Sequence, residues 1–240
     1  MIDPTLVYGP TADISARALF QAKAYIISEN MAHDGFFTWK SGVTAPVYTD
    51  CRVIQGHPGP FRTLVKALAS SVENNFPGCQ AIVGMAEAGV VWSSPVSIEL
   101  GVPHAFVRKA MKQHGRGRMV EGNLSEGDRV VLVDDLMAGG GTACEAIGLI
   151  ESETNAQVIG VQTIVNWDFF EMRKRFAETS VPYRALVSFP QLLDTAVKTG
   201  ALTRPAAREL QAFYRNPRDH VWHLENLAPS SQGSTKAEAI

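Results

Sequence analysis

Two aspartates followed by three glycines, in the run VVLVDDLMAGGGT from Val130 to Thr142, are the residues of this chain best suited to do chemistry. Glycines let backbone N–H groups turn toward an anion with no Cβ in the way. The helical pattern ACEAIGLIE that follows adds the positive end of a helix. Such a cradle suits a phosphate. Asp134 and Asp135 cannot bind that anion themselves, so they face something neutral or cationic on the same ligand, such as sugar hydroxyls or a magnesium ion. A phosphorylated sugar meets both demands. The plainer alternative is a strand that ends in a polar turn with an aspartate capping the next helix. The spacing matches neither G-x-x-x-x-G-K-[ST] nor G-x-G-x-x-G, which disfavours a nucleoside triphosphate and a dinucleotide.

A second candidate lies just upstream. RKAMKQHGRGR, Arg108 to Arg118, carries five Lys or Arg and one His with no acid, in a chain whose net charge is −2. Such a segment repels itself when empty, and Gly115 and Gly117 loosen it further, so it is expected to be a mobile flap that orders around a polyanion such as diphosphate. The plainer reading is a solvated basic loop. No aromatic residue interleaves the run to stack on bases, which speaks against nucleic acid.

These segments need a frame. Val130–Val133, led in by Arg129, reads as a strand buried on both faces of a parallel sheet, with Asp134 and Asp135 placed where it leaves the sheet. Around it the pattern alternates. Residues 60–76 read as a helix with Pro60 in its first turn, 81–85 as a buried strand, 88–101 as a helix and 104–109 as a strand. Then follow a helix at 142–153, a strand at 157–167 and a helix at 168–178. Repeated βα units of this length give an α/β fold, a parallel sheet flanked by helices. Residues 13–33 carry apolar positions at helical spacing behind Asp13 or Ser15 and are expected to form one amphipathic helix covering the sheet. FFTWKSG and VYTDCR, split by Pro46, read as extended pieces of a small hood, and two helices are expected after YRALVSF.

The chain of 240 residues, 45% hydrophobic, is read as one domain over 1–227. Its parts are a hood to about 55, a core of about 56–190 and C-terminal helices at 190–215; the polar tail 228–240 is expected to be disordered. Cys51, Cys79 and Cys144 are scattered, which indicates neither a disulfide framework nor a zinc site and suits a cytoplasmic location. The N-terminus lacks a basic, then apolar, export signal, and no window approaches the roughly eighteen apolar residues of a membrane span. No membrane partner is expected.

VVLVDDLMAGGGT resembles the phosphoribosyl-diphosphate signature of the type I phosphoribosyltransferases. SGVTAPVYTDCR (Ser41 to Arg52) and AFVRKAMKQHGRGRMVEG (Ala105 to Gly122) resemble, in order and spacing, the base-side segment and mobile catalytic loop of the orotate phosphoribosyltransferase family. The similarity runs from about Phe36 to Trp167, and weaker likeness reaches Trp222.

The resemblance implies transfer of ribose 5-phosphate from 5-phosphoribosyl 1-diphosphate to orotate, giving orotidine 5′-phosphate and diphosphate for pyrimidine synthesis. It implies that Asp134, Asp135, Leu136, Met137, Ala138, Gly139, Gly140, Gly141 and Thr142 bind the donor. The acids would meet the sugar hydroxyls, and residues 138–142 the 5′-phosphate. Arg108, Lys109, Lys112 and His114 would close over the diphosphate; Lys109, Lys112, His114, Asp134 and Asp135 form the catalytic set. Mg²⁺ is the implied cofactor, held through diphosphate and water near Asp134 and Asp135 with no direct protein ligand. A homodimer that shares the basic loop between sites follows from the same likeness.

Tyr48 would line the acceptor ring, or be an ordinary core aromatic. The chain departs from the common form of the family at Thr44 and Ala88, where lysines are usual, and at Ala138 and Gly139, where threonines are usual. Trp167 falls where an arginine meets the orotate carboxylate; it reads either as a packing residue at a strand end or as a ring that stacks on the acceptor. A bacterial branch of the family is similar to this chain at the same places. Two other functions stay open: phosphoribosyl transfer to another nucleobase, or a regulator that binds the donor without turnover. The regulator normally carries a nucleic-acid module, for which this chain has no spare segment.

Overall fold

The computed structural model describes residues 10–27, 37–39, 42–110 and 118–218. In chain order the elements are α1 (Pro10–Gln21), β1 (Tyr25–Ile27), β2 (Phe37–Thr38), β3 (Thr44–Ala45), β4 (Val47–Thr49), a 3-10 helix (Cys51–Gly56), α2 (Pro58–Asn75), β5 (Ala81–Met85), α3 (Ala88–Leu100) and β6 (His104–Val107). They continue with β7 (Val120–Glu121), β8 (Arg129–Met137), α4 (Gly141–Thr154), β9 (Gln157–Asn166), α5 (Phe170–Thr179), β10 (Tyr183–Ser188), α6 (Phe189–Thr199) and α7 (Arg204–Arg215). Two compact units result, one of Met1–Tyr25 and Thr49–Thr203, the other of Ile26–Tyr48 and Arg204–Ile240.

The larger unit is built on a six-stranded sheet of order β10-β9-β8-β5-β6-β7. All neighbours are parallel except the short edge strand β7, which runs antiparallel to β6. The central strands are apolar on both faces because both faces are covered. On one side Ile82, Val131, Val133, Ile164 and Leu186 pack with Leu19, Leu64, Leu68, Val72 and Trp92 of α1, α2 and α3. On the other, Val83, Val130, Leu132 and Val158 pack with Ala146, Ile147 and Ile150 of α4 and with Met172 and Phe176 of α5. The α/β fold read from the sequence is the fold of the structure.

Strand order locates the crevice. From β5 the chain moves outward through β6 to β7, then returns to β5's other side at β8 and continues through β9 to β10. The sheet therefore reverses between β5 and β8, and ligands of such sheets bind past the carboxyl ends of the strands at that reversal. The two strands stop at different heights: β5 pairs with β8 only as far as Gly84 opposite Val133, whereas β9 stays paired to Met137.

In the smaller unit β2 and β3 form an antiparallel pair, the Trp39 indole N–H donates to the Val47 carbonyl at 3.1 Å, and its ring meets Phe213 edge-on at 5.8 Å. α7 buries Ala207, Leu210 and Phe213. 

Two sequence expectations change. The helix expected over 13–33 ends at Gln21, and Tyr25–Ile27 is a strand paired with β4. The stop is a Schellman-type cap: Ala24 N–H donates to the Leu19 carbonyl and Lys23 N–H to the Phe20 carbonyl, both at 3.0 Å, with Lys23 left-handed at φ 54°. The strand expected to end at the acid pair runs through it to Met137. Lys112, His114, Gly115, Gly117, residues 28–33 of the expected first helix and the tail 228–240 lie outside the described residues.

Candidate active site

Because β5 ends at the level of Val133 while β8 continues along β9, Asp134 and Asp135 stand on a stretch of strand that is open on its β5 side. Both are half-buried. The Asp135 N–H donates to Asp134 Oδ1 at 2.9 Å. Burial, with the neighbouring Asp135 charge added, pushes the Asp134 carboxyl well above the ordinary value of 3.8. Burial raises Asp135 as well, against the pull of its hydrogen bonds and of the Arg52 guanidinium. Two carboxyls that crowd one place are poised to take a cation or to accept from hydroxyls.

α3 packs against the same stretch. A Cβ on Gly89 would lie 2.8 Å from the Val133 carbonyl oxygen and 2.9 Å from Asp134 Oδ1, so the first turn of α3 packs against the strand at the acid pair. The buried Cys51 thiol is raised chiefly by desolvation and then by the charges of Asp135, Asp50 and Asp134, which puts the 3-10 helix beside the acids. There Arg52 grips Asp50 in a fork, Nε to Oδ1 at 2.7 Å and Nη2 to Oδ2 at 2.9 Å. That pairing holds the Asp50 carboxyl below its ordinary value.

After Met137 comes the glycine turn. Gly140 caps α4 in the left-handed region at φ 70° and has no side chain to bond the first-turn amides, and among the described residues no other side chain does so. Its neighbours make a side chain there costly in space as well: a Cβ would fall 3.0 Å from both Met172 Cγ and Phe176 Cε2. Gly139 is exposed with open space around it, and Thr142 is exposed on the first turn. The result is a row of main-chain donors at a helix start beside two carboxylates, which can hold a phosphate and the hydroxyls attached to it.

The basic segment leaves β6 at Arg108 and returns at β7. Arg108 N–H donates to the Met119 carbonyl at 2.8 Å, and its Nη1 lies 3.2 Å from Glu121 Oε1. Lys109 is exposed. The return is anchored by Glu153 at the far end of α4, whose carboxylate accepts from Met119 N–H at 2.9 Å and Val120 N–H at 3.0 Å. One helix thus carries the glycine turn at its start and the foot of the basic segment near its end.

Trp167 lies next to Met137, its main-chain N–H donating to the Met137 carbonyl at 2.9 Å. The indole is 1% exposed and stacks on Phe169 at 5.6 Å and Phe189 at 4.1 Å. Asp168 follows in the left-handed region, buried, paired with Arg173 at 3.0 Å and accepting from the Tyr183 hydroxyl at 3.4 Å, which fixes the start of α5. Tyr48 is half-buried in β4, its ring 5.7 Å from Phe37. Sequence reasoning did not single out Arg52, Glu153 or Arg175 of α5. Glu153 and Arg175 act on another element, while Arg52 holds the cap of its own 3-10 helix and stands at the end of a motif already noted.

Among the described residues no cluster of three or more His, Cys, Asp or Glu could hold a metal, and no helix is long and apolar enough to cross a membrane. A model of the phosphoribosyl transferase domain matches residues 59–185, which run from α2 into β10 and include the acid pair and the glycine turn. The orotate phosphoribosyltransferase of Bacillus caldolyticus is 33% identical over 86% of this chain and 97% of its own length. That of Lactococcus lactis subsp. cremoris is 33% identical over 84% and 94%. Among solved structures, Leishmania donovani UMP synthase superposes with a TM-score of 0.72 at 27% identity, over 86% of this chain and 42% of that one. The orotate phosphoribosyltransferase of Aeropyrum pernix superposes at 0.66 over 78% and 98%, where 24% identity speaks to the fold alone. With the acid pair, the glycine turn and the central strands of the parallel sheet inside the matched span, the chain belongs to the phosphoribosyltransferase family, among its orotate phosphoribosyltransferases.

Proposed function

We propose that this chain transfers ribose 5-phosphate from 5-phosphoribosyl 1-diphosphate to a ring nitrogen of orotate, releasing diphosphate. The observation that carries the reading is the juxtaposition, on β8 and the start of α4, of a carboxylate pair with uncapped main-chain donors around Gly140. A sugar phosphate has hydroxyls for the first and a dianion for the second.

No protein nucleophile is required. The C1–O bond of the donor breaks toward an oxocarbenium-like sugar while the ring nitrogen closes on the same carbon; the electron pair leaves with diphosphate, and the proton given up by the ring nitrogen passes to that leaving group or to solvent. The protein holds the reactants close and neutralises the leaving group. Amides of 138–142 fix the 5′-phosphate. Asp134 and Asp135 accept from the sugar hydroxyls. Lys109 and Arg108, with Lys112 and His114 of the same segment, close over the diphosphate and keep out water. Arg108 must leave Glu121 to take part.

Mg²⁺ fits this donor set as a substrate-borne ion. Asp134 and Asp135 offer two crowded carboxyls, too few for a protein cage, so they would hold it through water. When bound, it supplies positive charge to the diphosphate. We further infer a homodimer that shares the basic loop. The support is the likeness of that loop to the family's and the outward face of α3, where Ile98 is 77% exposed. Three free cysteines fit a reducing cytoplasm.

The test is turnover. Pure protein with 5-phosphoribosyl 1-diphosphate and Mg²⁺ is given orotate, uracil, adenine or hypoxanthine in turn, and diphosphate release is measured. Release with orotate alone supports the reading. Release only with another base would keep the chemistry and change the acceptor, and binding without release would make the chain a regulator.

A further inference from the structure

The glycine turn has a second wall. Met172, Arg175 and Phe176 occupy one face of α5 at i, i+3 and i+4, and that face lies against Gly140 and Gly141. Met172 and Phe176 are buried there, whereas Arg175 is exposed. A Cβ built on Gly141 would sit 2.8 Å from Arg175 Nη1 and 3.7 Å from its Cζ, so the guanidinium is laid directly on the first residue of α4. Cys144, one turn along, reports the same position. Burial raises its thiol, and the Arg175 charge pulls it back.

This is an unfavourable place for a cation in the empty protein. The start of a helix carries partial positive charge and unsatisfied N–H groups, so an arginine there meets like charge. The other arginine on the same helix shows what a structural ion pair looks like: Arg173 is held by the buried Asp168 at 3.0 Å. Among the described residues no carboxylate pairs with Arg175. The firm attachment of α5 through Asp168, Arg173 and Tyr183 keeps its cation over the turn. The arrangement becomes favourable once an anion occupies the turn, because the dianion then faces both the amides and the guanidinium.

We propose that Arg175 completes the phosphate cradle, its guanidinium binding oxygens of the donor's 5′-phosphate that the amides of 138–142 leave free. The assignment rests on the reading of this turn as the 5′-phosphate site. Its planar fork matches two phosphate oxygens, and Lys, a point charge, would match them less well. The contact is made equally by donor, product and any ribose 5-phosphate, so it acts on binding more than on the chemical step.

Calorimetric titration of the full chain with ribose 5-phosphate, and separately with diphosphate and Mg²⁺, tests it. Arg175→Gln is expected to weaken ribose 5-phosphate binding by about 10- to 100-fold, the range for loss of hydrogen bonds to a charged partner. Diphosphate affinity should not move, and the thermal midpoint of the empty protein should not fall, since the change removes a cation from a helix start. Arg175→Lys is expected to recover part of the loss. In turnover, the donor KM should rise by a larger factor than kcat falls. Lys174→Gln removes the same charge from the neighbouring position and is expected to bind ribose 5-phosphate as the parent does; an equal loss in that variant would reduce the effect to long-range charge and overturn the assignment. Tight binding by the parent with equal binding by Arg175→Gln overturns the assignment alone. A parent protein that ignores ribose 5-phosphate overturns both the assignment and the reading beneath it.

Discussion

The main-chain N–H of Asp135 donates to the carboxylate of Asp134 at 2.9 Å, so the two acids are tied into one unit on the part of β8 that β5 leaves uncovered. Burial raises both carboxyls above 3.8, and at Asp134 the neighbouring Asp135 charge adds to the rise. For a carboxyl whose folded value is raised, the contribution to stability is fully present below the unfolded value and is lost as pH rises through the folded one. The empty site is therefore under electrostatic strain at neutral pH.

Asp134→Asn is expected to raise the thermal midpoint of the empty protein at neutral pH, since the amide keeps an acceptor for Asp135 N–H and cannot ionise. The gain should shrink as pH falls through the raised value of the folded carboxyl and be gone below 3.8, where the unfolded chain's carboxyl is protonated too. The same change should weaken donor binding in Mg²⁺. Paired thermal melts at mildly acid and neutral pH check the first part, and calorimetry checks the second. A midpoint that does not respond to pH would contradict the assignment of strain to this pair.

Lys109→Ala should lower turnover by about a hundredfold or more, corresponding to about 2–4 kcal/mol of lost stabilisation of the leaving group. Lys109 is exposed, so the fold should be unaffected. Parent-like rates would remove the basic segment from the mechanism. Steady-state kinetics with a circular dichroism control decide the matter.

Neighbouring glycines should behave differently. Gly140→Ala forces a side chain into the left-handed region and against Met172 and Phe176, and is expected to destabilise the protein by about 1–2 kcal/mol or more and to loosen the phosphate. Gly139→Ala enters open space and should stay within about 0.5 kcal/mol of the parent. Denaturant unfolding of both variants gives the comparison, and equal losses would argue against the turn geometry.

Glu153→Ala removes the acceptor for Met119 and Val120 N–H and is expected to free the foot of the basic segment. Turnover should fall, while ribose 5-phosphate, held at the other end of α4, should bind as before. The stability loss should be about 1–3 kcal/mol, the range for leaving buried donors unpaired. Unchanged kcat would show that the segment needs no such anchor.

The sequence made the frame readable because its signals are local. VVLV marks a doubly buried strand, AIVGM another, and the αβ spacing between them dictates a parallel sheet. The acid pair and glycine turn were legible for the same reason, as chemistry written in one short run. What was not legible depends on partners far along the chain. The strand passes through Asp134 and Asp135 because β9 continues beside it after β5 has stopped, and register between strands leaves no local mark. α1 ends at Gln21 because Lys23 adopts the left-handed cap conformation, a place where glycine would have given the signal. Glu153 and Arg175 look like ordinary surface charges of helices until packing sets one against Met119 and the other against Gly141.

In the proposed function, the amides following Asp135 grip a sugar-borne phosphate. Amide chemical shifts of isotope-labelled protein, followed through a titration with 5-phosphoribosyl 1-diphosphate and Mg²⁺, read those donors one by one. Saturable shifts are expected to concentrate at Gly139, Gly140, Gly141 and Thr142, with Asp134 and Asp135 moving alongside. Binding that leaves these six amides unmoved and shifts others would contradict that proposal.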